Sequence, residues 1–212
     1  MIKFVYFDVG GVIIKDFSKS NSWIDLQNEI GLGQEQEEKF KEFWDRYPDI
    51  ATTRDVDSLR PLMEKEFKIS FPNNYSFLID GFIKRFKRNE SLWPVIEIIH
   101  KNLGVGLLTN MYVGMFEEIK KHDLFPKINW DVVIDSSQVK LQKPDIEIFK
   151  LAEEKARFKG KEILFVENSQ EHVNVAKSFG WQTFFYDSAN YPNSSEELMK
   201  FYLKLRLGKI HP

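Results

Sequence analysis

Short apolar runs along the chain predict five β-strands, joined mostly by helices. The runs are rich in β-branched and aromatic residues and cover Lys3–Phe7, Val105–Thr109, Val132–Asp135, Ile163–Val166 and Thr183–Tyr186. Helical segments separate the last four runs, a pattern typical of a parallel sheet wound with helices. Roughly a hundred residues lie between the first and the second run, and they contain no comparable strand.

The long interval after the first run has the periodicity of amphipathic helices. Apolar residues recur three and four positions apart in Gln34–Tyr47, Ser58–Phe67 and Asn74–Phe86, with loops expected at Pro48–Asp57 and Ser70–Asn74. A further helix is predicted at Ser91–Asn102, where Gly104 provides the stop signal. The expected fold is an α/β, doubly wound parallel sheet in which residues 1–15 and 89–212 form the core and residues 16–88 form an inserted all-helical cap.

Composition narrows the classes of function. The chain has 212 residues, 42% of them hydrophobic, a formal net charge of −2 and no cysteine. The net charge gives no indication of a nucleic-acid or anionic-membrane partner. The absence of cysteine excludes disulfides and thiolate metal sites. No apolar run approaches the ~18 residues of a membrane span. We therefore expect a cytoplasmic protein. We also expect a monomer or homodimer.

Polar side chains stand where four of the predicted elements end or begin. Asp8 follows the first run and precedes Gly10 and Gly11, Thr109 ends the second run, and Glu167 follows the fourth. Lys143 precedes Pro144 just before a predicted helix, Ile146–Ala156. Singly, these are ordinary turn, strand and loop residues. A parallel sheet, however, brings the carboxyl ends of its strands to one crevice.

Together these residue types suit phosphoryl transfer. Asp8 is the candidate nucleophile, while Thr109 and Lys143 are placed to neutralise the phosphoryl oxygens. The carboxylates of Asp8 and Glu167 are candidate Mg²⁺ ligands.

The same residues carry a resemblance to a known family. The segments Phe7–Val12, Thr109–Asn110, Lys143–Asp145 and Phe165–Asn168 resemble the four motifs of the haloacid dehalogenase (HAD) superfamily, in order and spacing. The resemblance implies a mobile cap over the active site and an aspartyl-phosphate mechanism with Mg²⁺. It also makes Asn110, Gly11 and the cap residue Arg46 candidate substrate-binding residues.

Two departures from the family pattern affect the expected chemistry. Gly10 stands where phosphatases of the family usually carry an acid/base aspartate, so proton transfer is expected to be impaired, although the Gly10 carbonyl can still ligate a metal. Glu167-Asn168 replaces the usual Asp-Asp, so the Mg²⁺ site formed by Asp8, Gly10 and Glu167 is expected to be weak. His172 is a substitute proton donor or simply a residue at a helix start, and His100, His122 and His211 are expected at the surface.

These observations favour a phosphatase of small phosphorylated metabolites, since a capped crevice excludes folded protein substrates. Two alternatives remain open. A metal-free 2-haloacid dehalogenase needs no acid at Gly10, because halide leaves without a proton, but it requires a carboxylate-binding arginine such as Arg46 or Arg54. A catalytically impaired binding or scaffold protein on the same fold would also explain both departures. A receiver domain is excluded because Asp8 lies on the first strand, and a dinucleotide site because Gly104 and Gly106 precede a strand.

Overall fold

Five strands form one parallel sheet in the computed structural model, which describes residues 1–206. In chain order the strands of the protein are β1 (Phe4–Phe7), β2 (Ile14–Lys15), β3 (Lys87–Arg88), β4 (Gly104–Thr109), β5 (Val132–Asp135), β6 (Ile163–Glu167) and β7 (Gln182–Phe185). The sheet order is β5-β4-β1-β6-β7. All five predicted strands are therefore confirmed, with ends that differ by a residue at most.

Helices cover both faces of the sheet and form the insertion. They are α1 (Ser22–Glu29), α2 (Glu37–Asp45), α3 (Arg60–Phe67), α4 (Trp93–His100), α5 (Met115–Lys121), α6 (Ser136–Val139), α7 (Ile146–Ala156), α8 (Gln170–Ser178) and α9 (Tyr191–Arg206). Of the described helices, none has both the length and the apolar character needed to cross a membrane.

The central strand β1 is buried on both faces, which explains its continuous apolar sequence. Val5 and Phe7 pack into one hydrophobic cluster, which also includes α4 and much of the insertion. Phe4 and Tyr6 point to the opposite face and pack against α7. The hydroxyl of Tyr6 donates to the Ala152 carbonyl at 2.8 Å, so this buried phenol is satisfied. The doubly wound α/β fold is thus confirmed.

A short two-stranded antiparallel sheet joins the beginning of the insertion to its end. Ile14 of β2 pairs with Arg88 of β3, and Lys15 pairs with Lys87. Sequence analysis missed this ladder because two residues are too few to show a period. The division into residues 1–15 plus 89–212 and residues 16–88 stays a prediction, and the ladder lies at its boundary.

The insertion is helical, but its elements differ from those expected. Helix α1 was not predicted, and the segment predicted as one helix at Asn74–Phe86 instead consists of a π-helical turn at Phe77–Phe82 and a 3₁₀ turn at Ile83–Arg85. Gly81 weakens a regular helix here, and the Arg85 guanidinium hydrogen-bonds the carbonyls of Asp80 and Gly81. The loop expected at Pro48–Asp57 contains a 3₁₀ turn at Pro48–Ala51.

Aromatic side chains hold the insertion together and dock it on the core. The Trp44 ring contacts those of Trp23, Phe77 and Phe82. Phe82 in turn meets Tyr112 of the core edge to face, with ring centroids 5.1 Å apart. The aromatic residues Phe40, Phe43 and Trp44 of the predicted helix Gln34–Tyr47 are therefore core positions of the insertion.

Candidate active site

The parallel register brings the predicted strand-end residues to one edge of the sheet. Phe7 pairs with Leu107 on one side and with Val166 on the other. Asp8 therefore leaves β1 beside the ends of β4 and β6, where Thr109 and Glu167 are the last strand residues. Asp8 continues the ladder by donating its backbone N–H to the Val166 carbonyl at 2.9 Å.

Lys143 links the two carboxylates. Its Nζ lies 2.8 Å from Asp8 Oδ1 and 2.7 Å from Glu167 Oε2, and the lysine is only 3% exposed. A fully buried charge is costly unless it is paired, and here one cation serves two acids. The three side chains form a dry cluster with net charge −1, and the structure thus brings together three predicted site residues.

Asn110 fixes the backbone of Lys143. Its Nδ2 donates to the Lys143 carbonyl at 2.7 Å, and its Oδ1 accepts from the Lys143 N–H at 2.8 Å. Both ends of the amide are used in this clamp. Asn110 was predicted to bind substrate, but in the structure its side chain positions the lysine.

Glu167 has all of its acceptor capacity occupied. Its Oε1 accepts from the backbone N–H groups of Asn168 and Ser169 at 2.8 and 2.9 Å. Its Oε2 faces both Lys143 and His172 Nδ1, the latter at 3.1 Å. His172, the third residue of α8, therefore contacts the cluster through Glu167.

Burial and neighbouring charges shift the pKa values of Asp8 and Glu167 in opposite directions. Burial and the charge of Glu167 raise the pKa of Asp8, and the attraction of Lys143 offsets only part of this rise. Burial alone would raise the pKa of Glu167 as well, but Lys143 and His172 together hold that pKa well below its usual range. Divergent carboxyl pKa values in one site are typical of acid–base and nucleophilic roles.

Thr109 carries an unpaired buried hydroxyl. The residue is 1% exposed, and its Oγ1 has no hydrogen-bond partner within residues 1–206. Buried polar atoms are nearly always satisfied, so an orphan at this edge is suited to a ligand oxygen.

The loop after β1 is held by side chains that the sequence analysis did not predict to interact. Asn168 Nδ2 donates to Ser18 Oγ at 3.1 Å and to Ser188 Oγ at 3.0 Å, and Ser188 donates to the Gly11 carbonyl at 2.7 Å. We call Gly11, Ser18, Asn168 and Ser188 the polar clasp. Gly11 has a φ of +72°, and a Cβ there would lie 2.0 Å from Asn168 Nδ2. Gly11, predicted to bind substrate, is thus required for the clasp.

The residues present do not fit the predicted Mg²⁺ site of Asp8, the Gly10 carbonyl and Glu167. Glu167 has no free lone pair, and within the part of the chain that the structure describes no group of three or more His, Asp or Glu side chains is arranged to hold a metal. Asn168 uses its amide nitrogen in the polar clasp. Among the predicted ligands only one carboxylate oxygen, Asp8 Oδ2, remains for a hard cation that prefers several.

The contacts of Arg46 lie within the insertion and do not connect it to the carboxyl edge of the sheet. Its guanidinium lies 2.5 Å from Glu66 of α3 and stacks on Phe43, both within the insertion. Arg54 pairs with Asp49 at 2.9 Å. Of the other histidines, His122 is exposed and His100 is partly buried. His211 lies outside the described residues.

A cavity of about 330 Å³ lies between the core and the insertion. Asp16, Ser18 and Asn110 provide its polar lining. The remaining lining is largely aromatic and includes Phe17, Trp23, Phe82, Phe86 and Tyr112. A larger groove of about 790 Å³ is lined only by residues between Trp23 and Asp45 and contains none of the predicted site residues. The smaller cavity is therefore the one next to the candidate chemistry.

Comparison with known proteins bears on the fold and the family. A family model for haloacid dehalogenase-like hydrolases matches residues 2–180. A solved HAD-like family hydrolase from Porphyromonas gingivalis is 19% identical, with a TM-score of 0.70, over 94% of this chain and 98% of that one. No curated protein matches the chain.

Two further solved structures differ in their chemistry. A HAD family enzyme from Bacteroides thetaiotaomicron, an aspartate-to-alanine mutant in complex with magnesium and inorganic phosphate, is 20% identical with a TM-score of 0.70, over 90% of this chain and 96% of that one. An L-2-haloacid dehalogenase is 18% identical with a TM-score of 0.64, over 87% and 84%. At such identities the likeness shows the fold alone.

Proposed function

Because the chain belongs to the haloacid dehalogenase-like hydrolases, we propose that it is a phosphatase of small phosphorylated metabolites that forms an aspartyl phosphate on Asp8. The observation that carries this proposal is the unpaired buried hydroxyl of Thr109 at the same sheet edge as the Asp8–Lys143 pair. A carboxylate, a cation and a hydroxyl donor are what a phosphoryl group requires.

The proposed reaction uses these three side chains. An Asp8 carboxylate oxygen attacks phosphorus as the bond to the leaving oxygen breaks, and water then hydrolyses the aspartyl phosphate. Lys143, held by Asn110, stabilises charge on the phosphoryl oxygens, and the Thr109 hydroxyl donates to one of them. Glu167 is kept ionised by the two side chains that it contacts, and its negative charge in turn keeps Lys143 in the charged form.

Magnesium dependence is suggested by the Bacteroides thetaiotaomicron enzyme in complex with magnesium. The occupied lone pairs of Glu167 argue against a strong site in this chain, so we assign no step to a metal. The cavity of about 330 Å³ suits a small substrate whose non-reacting part contacts aromatic rings.

A metal-free haloacid dehalogenase is the second candidate. The observation in its favour is that Lys143, rather than a metal, bridges the two carboxylates, while Gly10 offers no acid. Against it, Arg46 and Arg54 are both paired with carboxylates in the insertion.

One assay separates these functions. Phosphate release is measured from a panel of phosphorylated metabolites and p-nitrophenyl phosphate, with Mg²⁺ and with EDTA, and chloride release is measured from 2-chloropropionate. Phosphate release that Asp8→Asn abolishes supports the proposal. Chloride release alone would favour the dehalogenase, and no release from any compound would favour the binding or scaffold protein.

A further inference from the structure

The space beside Gly10 is filled by a carboxylate from another part of the chain. A Cβ built on Gly10 would lie 2.5 Å from Asp16 Oδ2 and 3.4 Å from Asp16 Cγ. Standard bond lengths put an aspartate's own Oδ at about 2.4 Å from its Cβ. The distance from the built Gly10 Cβ to Asp16 Oδ2 is thus about the same as the distance from an aspartate's Cβ to its own carboxylate oxygen.

The local fold holds Asp16 there. The residue directly follows β2, whose pairing with β3 fixes the backbone at the start of the insertion. The Ser18 N–H donates to Asp16 Oδ1 at 2.8 Å, which leaves Oδ2 directed towards Gly10. Ser18 is in turn held by Asn168 of the polar clasp, so the carboxylate is tied to the end of β6.

The surroundings of Asp16 favour its protonated form. Burial raises the pKa of this carboxyl, and the hydrogen bonds from Ser18 offset only part of the rise. Among the described residues no lysine, arginine or histidine forms an ion pair with it. The titratable groups that face it are the neutral phenols of Tyr112 and Tyr191, whose own pKa values are raised chiefly by burial.

We propose that Asp16 is the general acid and base of this site, and that its side chain replaces the function that Gly10 lacks. This inference rests on the proposed phosphatase function. Asp16 also lines the cavity of about 330 Å³, where the leaving group would lie.

The proposed steps balance. As the bond between Asp8 Oδ and phosphorus forms and the ester P–O bond breaks, the Asp16 carboxyl gives its proton to the departing oxygen, which leaves as an alcohol. The resulting carboxylate then accepts a proton from water as the water oxygen attacks phosphorus and the bond to Asp8 breaks. Phosphate leaves, and Asp16 is protonated again.

The test compares a poor leaving group with a good one. Asp16→Asn keeps the size of the side chain and the Oδ1 acceptor but removes the acid. We expect it to lower kcat/KM for glycerol phosphate by about 10²–10⁴-fold, because an alkoxide needs a proton to leave. Turnover of p-nitrophenyl phosphate, whose leaving group needs no proton, should change far less. The matched control is Asp25→Asn, the same change at an exposed position of α1.

A rescue variant checks the position of the carboxylate. Asp16→Ala vacates the space beside Gly10, so adding Gly10→Asp should restore part of the lost glycerol phosphate turnover. Gly10→Asp alone should not raise this turnover, because the new Cβ would lie 2.5 Å from Asp16 Oδ2.

The outcomes are distinguishable. If the wild-type protein hydrolyses no phosphate ester, the proposed function is overturned and this inference with it. If the wild type is active and Asp16→Asn slows both substrates equally, or neither, the role of Asp16 is overturned while the phosphatase stands. A folded double variant no better than Asp16→Ala on glycerol phosphate would also overturn it.

Discussion

Thr109 is the residue at which stability and the proposed activity conflict most clearly. Its hydroxyl is buried without a partner in the described chain, which costs folding free energy that only a bound ligand oxygen would recover. A strand-terminal threonine would otherwise be unremarkable for its β-propensity. The unpaired oxygen, invisible in the sequence, is what distinguishes it.

We expect Thr109→Val to separate these two effects. Valine keeps the shape but removes the unsatisfied oxygen, so the free energy of unfolding should stay equal or rise by about 1 kcal/mol. Phosphatase kcat/KM should fall by about 10²–10³, the typical loss for one donor to a developing anion. Denaturant unfolding and phosphate release measure the two quantities. The control is Thr109→Ser, which keeps the hydroxyl and should retain most activity. A lower free energy of unfolding in Thr109→Val would contradict the conclusion that the Thr109 hydroxyl has no hydrogen-bond partner.

Asp8→Asn should remove activity and leave the fold intact. The amide oxygen still accepts from Lys143, and Glu167 keeps the buried lysine paired, so no charge is left isolated. Phosphate release together with a thermal melt provides the measurement. Wild-type turnover in the variant would rule out Asp8 as the nucleophile, and unfolding would mean that its charge is structural.

The raised pKa of Asp8 predicts an unusual acid limb in the pH–rate profile. The nucleophile must be ionised, so kcat/KM for p-nitrophenyl phosphate should fall as the pH drops through this raised value, well above the ~3.9 of an ordinary aspartate. Glu167→Gln removes a charge that raises this pKa, so the limb should move to lower pH. Exposed Glu38→Gln is the control. A wild-type limb at the ordinary value would contradict the assignment.

At the scale of elements, the sequence predicts what repeats and misses what is short. Apolar runs rich in β-branched and aromatic residues identified all five strands, including the partly exposed edge strands β5 and β7. The β2–β3 ladder pairs only two residues on each strand, too few to show a period. The turn at Phe77–Phe82 begins at Ser76, whose hydroxyl donates to the distant Asp57, a contact that no local period records. For the site, Asp8, Thr109, Lys143 and Glu167 were found at one edge, but the amide of Asn110 and the carboxylate of Asp16 were not assigned their observed contacts.

The polar clasp connects the four loops that follow β1, β2, β6 and β7. Asn168→Asp supplies the carboxylate usual for the family but loses both donors to Ser18 and Ser188. We expect it to lower the free energy of unfolding by about 1–3 kcal/mol in EDTA. Mg²⁺ should raise the melting temperature of this variant much more than that of the wild type. Asn174→Asp, exposed on α8, is the control, and equal stabilisation of the wild type would show that its own ligands suffice.

At the scale of the whole molecule, the insertion and the core share the candidate site. The insertion is anchored where the Ser136 hydroxyl donates to the Ala51 carbonyl at 2.5 Å and where Lys140 Nζ donates to the Thr52 carbonyl at 2.8 Å. It also supplies most of the aromatic lining of the cavity. Under the proposed function, the core supplies the chemistry and the insertion supplies most of the aromatic binding surface. The cytoplasmic location and the monomeric or homodimeric state stay predictions.

The β2–β3 ladder has a consequence for how this architecture can diversify. Because Ile14 lies opposite Arg88, the chain leaves the core and re-enters it at neighbouring points, roughly 5 Å apart in an antiparallel pair. A domain tolerates the insertion of another domain when the two ends of the inserted segment lie close together. The core can therefore take a longer, shorter or unrelated insertion without a change in its strand order. Each such insertion would provide a different binding surface, while the proposed reaction of the core stays the same.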